Sequence, residues 1–485
     1  MKPNALQRAA PVLVLVGAVL LYALISLVNH AHFRTYALDL GYYTHGLYQY
    51  SRLRWARELM IHGSGHWMLG DHFDLYLPIL SPLRYVLGTS TLLWVQLAAL
   101  ALGSVGVYRY ARQRLGNRPE ALRVMALYSF FFGILSALAF DYHSVAVAAG
   151  LLPWWWAYFV KSRWAWAWGL WILILAAQEN VALTAGFLAL GRSLQASGSP
   201  KARRAAFWMA VAAFLWFGLV VGWLIPHLNP KGSYPLFWYS ALGSSPADAF
   251  HYVIRHPLDS LKIWFTNHSG QPAWEGIKTE TWLFLCCAGL PFVLLSGPWG
   301  WALLPLLGQK FWHDLPMVWS VHGQYNVELA PVFALGITDF LASRPSAAFR
   351  RGLGWLLLCC NVGVSLRLMD RTVAFSDKSR IRWYALEHYS NPRLPVRRVH
   401  FSLSQLPPAA SVSAQSPFVP HLALRDSVFQ FPLHYDKCRY IVFSQNENPY
   451  PLDTQNFQNL TRRLLDSGAF EIQTHDAAFY ILRRK

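Results

Sequence analysis

From its first residues to about position 368 the chain alternates long apolar runs with short polar connections. The first run, residues 11–28, follows Lys2 and Arg8 and has the length of a membrane span, with no small-residue cleavage site behind it. It predicts an uncleaved anchor helix. Further apolar runs lie near 90–108, 122–140, 144–160, 164–178, 180–191, 205–226, 281–296, 298–311, 323–342 and 352–368. Several are shorter than the roughly 20 residues of a perpendicular crossing, so those helices must tilt or end at a wet cavity. The pattern predicts a polytopic α-helical domain over 1–368, with about eleven transmembrane helices and long connections at 29–75 and 227–280.

Within 29–75, residues 42–60 mix aromatic and apolar positions with Arg52, Arg54 and Arg57, which predicts a helix lying in the membrane interface. Within 227–280, Ser245-Pro246-Ala247-Asp248 reads as a helix start, broken before Pro257 and resuming through Leu258 to Phe265. After Leu368 the charge density rises. Short β-prone runs stand at 410–414, 439–443, 469–474 and 477–482. A helix from Thr454 carries Phe457, Leu460, Leu464 and Leu465 on one face and stops at Gly468. Residues 369–485 are therefore expected to form a small soluble α/β domain.

Composition agrees with a membrane protein. Of 485 residues, 54% are hydrophobic and only 14% charged, against about 25% charged in soluble domains. With 23 Trp and 23 Tyr suited to the interface, this excludes an ordinary soluble enzyme and a disordered chain. The five cysteines show neither zinc spacing nor a disulfide framework.

The net charge of +18 raises the question of a nucleic-acid partner, and its distribution answers it. With the N-terminus inside, the inner connections hold 16 basic residues against two acids, Glu120 and Asp339. This is the positive-inside pattern. It puts the N-terminus in the cytoplasm and the C-terminal domain outside the cytoplasmic membrane, with no nucleic acid involved. All 18 histidines fall in outward connections or the C-terminal region, so acid and imidazole chemistry belongs to the outer face.

Several polar residues there could do chemistry. Asp39 follows the first span, where a carboxylate can take a proton from a hydroxyl, hold a cation or cap a helix. Asp71-His72 and Asp141-Tyr142-His143 pair acid with imidazole, a pattern suited to a metal or proton and equally to tight turns. Glu179, in Gln178-Glu179-Asn180, sits between two short apolar runs as a functional group or a polar hinge. His322 and Tyr325 open the tenth span, and Glu328 below them needs a partner, with His322 or an arginine as candidates. Arg52, Arg54, Arg57, Arg84, Arg255 and Lys262 can bind a lipid phosphate or simply snorkel to the interface.

The order of these motifs resembles a bacterial family of predicted membrane proteins, of unassigned function, related to the GT-C glycosyltransferase superfamily. The matching stretches are LDLGYYTHGLY at 38–48, DHFDLYLPILSPL at 71–83, FDYHSVAVA at 140–148 and AAQEN at 176–180. LGSSPADAF from 242, HGQYNVELAPVFALG at 322–336 and SVSAQSPFVPHLALR at 411–425 complete the set. The resemblance implies a GT-C-like core, an acidic residue of the first outer loop at the active site, and a polyprenyl-phosphate or polyprenyl-diphosphate sugar donor. Asp39 holds the matching position. The chain departs from the family at Gln178 and Asn180, where charges are usual, at Ser144, where a proline is usual, and just after His322.

Together these readings predict a membrane glycosyltransferase with Asp39, Asp141, His143 and Glu179 as catalytic residues. Asp71, His72, His322, Tyr325, Arg52, Arg54, Arg57 and Arg255 are the expected substrate-binding residues. No cofactor is required by the sequence, and a divalent cation (Mg or Mn) is a further candidate. The expected partners are a polyprenyl-phosphate sugar, membrane lipids and an acceptor that is a lipid, glycan or protein. The rival expectations are a transporter or lipid flippase without covalent chemistry, and a non-catalytic envelope assembly factor.

Overall fold

The computed structural model describes residues 5–485 apart from Ser197, with the backbone alone for 5–8. Lys2 and the side chain of Arg8 lie outside the described residues. Each of the eleven predicted apolar runs carries helix, beginning with Ala5–Ala31. Four segments, Ala9–Ala31, Tyr76–Leu115, Pro200–Leu228 and Ala347–Asp370, are long and apolar enough to cross a membrane. The bent pair Arg118–Ser129 and Phe132–Leu138 makes a fifth. Ser144–Val160, Trp164–Leu175 and Leu329–Ala342 are shorter apolar helices.

Helix packing relies on close backbone approach, which replaces the hydrophobic drive that lipid cannot supply. Thr91–Leu115 crosses Ser144–Val160 at Gly103 and Gly150, and a Cβ on Gly150 would strike the Ala99 carbonyl. One face of the bundle is held by charge. Asp339 accepts from Tyr110 Oη (2.5 Å), Trp299 Nε1 (2.8 Å) and Arg114 Nε (3.1 Å), while Glu120 pairs with Arg350 at 3.4 Å. The two acids among the arginine-rich connections are thus tied to those arginines.

The opposite face carries the C-terminal region, whose five strands are β1 (Val412–Ala414), β2 (Val428–Gln430), β3 (Tyr440–Ser444), β4 (Phe470–Asp476) and β5 (Phe479–Arg484). They form one sheet in the order β2-β1-β3-β5-β4. β1 runs parallel to β2 and β3, whereas β5 is antiparallel to β3 and β4. Strand alternation divides the core in two. Ile441 and Phe443 pack with Phe457 and Leu464 of helix Thr454–Asp466. Tyr440 and Val442 face the other way, in a cluster with Val412 and Ala414 that also contains Phe33, Ala37 and Met60. The sheet therefore seats directly on the connection that carries Asp39. β2 was not anticipated, since three residues at an edge leave almost no periodicity.

Two local expectations need correction. The helix expected over 42–60 ends at Ser51, where Leu53 turns the chain with φ +56°. It is covered by protein rather than lying open: Tyr43 through Tyr50 are buried, and Met68 and Leu77 close over Gly46. The second correction concerns Glu328. It stands at the N-terminus of helix Leu329–Ala342, where the helix dipole favours a carboxylate, and has no ion-pair partner among the described residues. His322 bonds Thr372 Oγ1 (2.7 Å) and lies 3.2 Å from Lys378 Nζ instead. The helix start at Ser245 is as expected: its hydroxyl accepts from Asp248 N, and helices Pro246–Arg255 and Pro257–Ile263 follow.

Candidate active site beneath the C-terminal domain

Asp39 sits in a π-helical turn, Ala37–Gly41, between the first helix and Tyr42–Ser51. Two residues from the 141–143 connection hold this turn. Asp141 Oδ2 accepts from the backbone nitrogens of Tyr36 (2.8 Å) and Leu40 (3.3 Å). His143 Nε2 lies 3.3 Å from Asp39 Oδ1. Gln96 fixes the connection itself, accepting from His143 N (2.9 Å) and donating to the Asp141 carbonyl (3.4 Å). The second oxygen of Asp141 is taken by Arg380 Nη2 at 3.0 Å.

The two acids are thereby distinguished. Asp141 is 1% exposed and fully occupied, whereas Asp39 is 24% exposed. Among the described residues, His143 is the side-chain partner of Asp39, so Oδ2 is open. Burial pushes the Asp141 carboxyl up to about 6, against the pull of Arg380 and with a push from Asp39.

Glu179 organises a second cluster. It opens helix Glu179–Leu194 and accepts from Phe73 N (3.2 Å) and Tyr234 Oη (2.8 Å), with His72 Nδ1 at 3.0 Å. Burial disfavours a charged His72, but Glu179 outweighs it and raises the imidazole above its ordinary value. Asp71 forms a third group, accepting from Tyr42 Oη (2.6 Å) with His66 Nε2 at 3.0 Å. Tyr43 stands among them: its ring meets His143 and Tyr142 edge-on, and its hydroxyl accepts from Gln178 (3.3 Å). A small cleft beside it is lined by Tyr42, Tyr43, Tyr50, Met68, His72 and Asp74. Burial raises Asp74 to about 6.

The structure thus gathers Asp39, Asp141 and His143, and joins Glu179 to His72. Tyr325 lies near enough to Asp39 for the two groups to interact electrostatically, whereas His322 and the candidate arginines lie apart from these groups. Arg54 pairs with Asp426 at 2.9 Å, and Arg57 lies over Trp67. Arg52 and Arg255 are exposed with no ion-pair partner among the described residues. Tyr325 is 36% exposed. The cation beside the acids is instead Arg380, which no local motif marks. Gln96, Tyr234 and His66 were also missed; Tyr234 lies in a polar connection without periodicity, and Gln96 is a single polar residue in an apolar run.

The cation raised by the sequence was tested against the donors present. Among the described residues, no three of His, Cys, Asp and Glu are placed to share a metal ion.

Residues 29–477 match the family described as "Predicted membrane protein (DUF2079)". The chain belongs to this family. No curated protein matches the chain. Among solved structures it is similar to ArnT from Cupriavidus metallidurans bound to undecaprenyl phosphate, at 13% identity and a TM-score of 0.51. That similarity covers 99% of this chain and 98% of ArnT. A likeness at this identity is one of fold. It shows that this DUF2079 protein shares its fold with ArnT.

Proposed function

We propose that the chain is an inverting membrane glycosyltransferase that moves a sugar from a polyprenyl-phosphate donor to an acceptor hydroxyl on the extracytoplasmic face. The observation that carries this reading is the open carboxylate of Asp39, held by His143 while its neighbour Asp141 is fully engaged. A donor of this kind is supported by the ArnT likeness, since ArnT is the protein seen with undecaprenyl phosphate. The outward orientation is supported by the arginine-rich connections, which fall on the face opposite the site.

The step is a single displacement. Asp39 Oδ2 accepts the proton of the acceptor hydroxyl as its oxygen attacks the anomeric carbon. The bond from that carbon to the phosphate oxygen breaks, and its electron pair leaves with the polyprenyl phosphate. His143 orients the base and stabilises its charge through Nε2. Glu179, His72, Asp71 and Tyr43 would line the sugar site, where hydroxyl groups need paired donors and acceptors.

The test is transfer from synthetic polyprenyl-phosphate sugars by the purified full-length protein in lipid nanodiscs. A product bearing the sugar, formed by wild type and not by Asp39→Asn, is the expected result. An Asp39→Asn variant as active as wild type sinks the mechanism.

A further inference from the structure

We infer that Arg380, supplied by the segment leading into the C-terminal domain, forms the phosphate subsite of this active site, so that the membrane core is incomplete without that segment. The inference rests on the proposed transfer and names the residue that receives its leaving group.

Arg380 is built in rather than draped over the surface. Its guanidinium lies 5.3 Å from the Tyr36 ring centroid and 5.1 Å from that of Phe140, an arrangement that holds its plane. One edge is used: Nη2 donates to Asp141 Oδ1 at 3.0 Å. The rest is not. Nε is buried with no hydrogen-bond partner, and Nη1 has none among the described residues, while the side chain as a whole is 22% exposed. A guanidinium presents five donors in a fixed fork, so it can hold a carboxylate on one edge and a second oxyanion on another. Leaving a buried donor unpaired is costly, and an anion whose arrival lets the fork turn would relieve it.

The location matches what the reaction needs. Asp141 and His143 are two residues apart, a span of about 6–7 Å in extended chain. Asp141 grips Arg380, and His143 grips Asp39. The pair therefore sets a fixed cation and an open base on neighbouring points of one short connection. An acidic phosphate at Arg380 would meet an Asp141 already neutralised by that guanidinium and by two backbone N–H groups. Positive charge fixed where negative charge develops stabilises the departing phosphate without reorganisation. Lys378, two residues earlier, is committed to His322 and Thr372, and Arg34 to the carbonyls of Glu387 and His388. Of these cations, Arg380 is the one that both binds a site acid and leaves a buried donor unpaired.

The test compares binding of a labelled polyprenyl monophosphate with that of the neutral polyprenol, using full-length protein in nanodiscs. Wild type and Asp39→Asn should favour the phosphate. The double variant R380A/D141N removes both partners and so leaves no buried charge unpaired. It should keep polyprenol binding and lose phosphate binding by about tenfold or more. Arg380→Lys keeps the charge without the fork and should fall between, which separates a phosphate ligand from a merely structural residue. If both variants bind the phosphate as wild type does, Arg380 is not the subsite, and the proposed transfer survives. A wild type with no preference for phosphate over alcohol overturns both.

Discussion

The imidazole of His143 meets the carboxylate of Asp39 at 3.3 Å, joining the first polar connection to the turn between two later helices. In the proposed transfer, a carboxylate held in this way needs no conformational search before it takes a proton. Replacing Asp39 by Asn should lower turnover by at least about a hundredfold, the usual share of a general base, while the protein stays folded, since Asp39 is partly exposed. His143→Ala should cost less than Asp39→Asn, and His143→Gln should recover part of the loss. Sugar transfer measured over time, beside an unfolding curve for each variant, checks both statements.

Asp141 makes the opposite case, because both of its carboxylate oxygens are already engaged. Asp141→Ala strands Arg380 and the amides of Tyr36 and Leu40 in a buried site. Breaking a buried pair on one side costs about 3–5 kcal/mol. The unfolding midpoint should therefore fall much further for Asp141→Ala than for Asp39→Asn. Equal midpoints would remove Asp141 as the fastening of the turn.

The contact of His72 with Glu179 predicts a pH dependence. His72 is raised above its ordinary 6.5 by the Glu179 carboxylate, despite burial. The folded state then binds the proton more tightly than the unfolded state. The resulting stability is fully present below 6.5 and is lost as pH rises through the raised value. The difference in unfolding midpoint between wild type and His72→Gln should accordingly be largest in mild acid and shrink in alkaline buffer. A difference that grows with pH would reverse the assignment.

Arg34 fastens the C-terminal segment to the end of the first helix. Its guanidinium donates to the carbonyls of Glu387 (2.7 Å), His388 (2.8 Å), Ser379 (3.3 Å) and Ser390. Arg34→Ala leaves these carbonyls without their donor, and limited proteolysis between Asp370 and β1 should become faster. Sugar transfer should fall with it, because the same segment delivers Arg380. Unchanged cleavage of the Arg34→Ala variant would show that the sheet alone anchors the segment.

Much of this protein was legible one stretch at a time. Apolar runs locate helices because lipid forces every backbone group to bond within its own segment. The β-prone runs and the helix from Thr454 declare the C-terminal sheet, because strand and helix periods differ. Asp39, Asp141, His143 and Glu179 stood out as ionisable groups beside apolar runs, where a charge is costly and needs a reason. The sequence offers Arg52, Arg54, Arg57 and Arg255 for the phosphate, and the structure pairs Arg54 with Asp426 and lays Arg57 over Trp67.

Whatever depended on distant segments meeting was decided only by the tertiary structure. The partner of Asp141 is Arg380, separated from it by 239 residues, and nothing in the neighbourhood of either residue in sequence announces the other. Hydropathy and periodicity report how a segment meets its solvent, so the sequence alone determined that the chain is a helical membrane protein with a C-terminal α/β region. Which acid is locked and which is left open depends on hydrogen bonds made across the fold, and only those bonds separate Asp39 from Asp141.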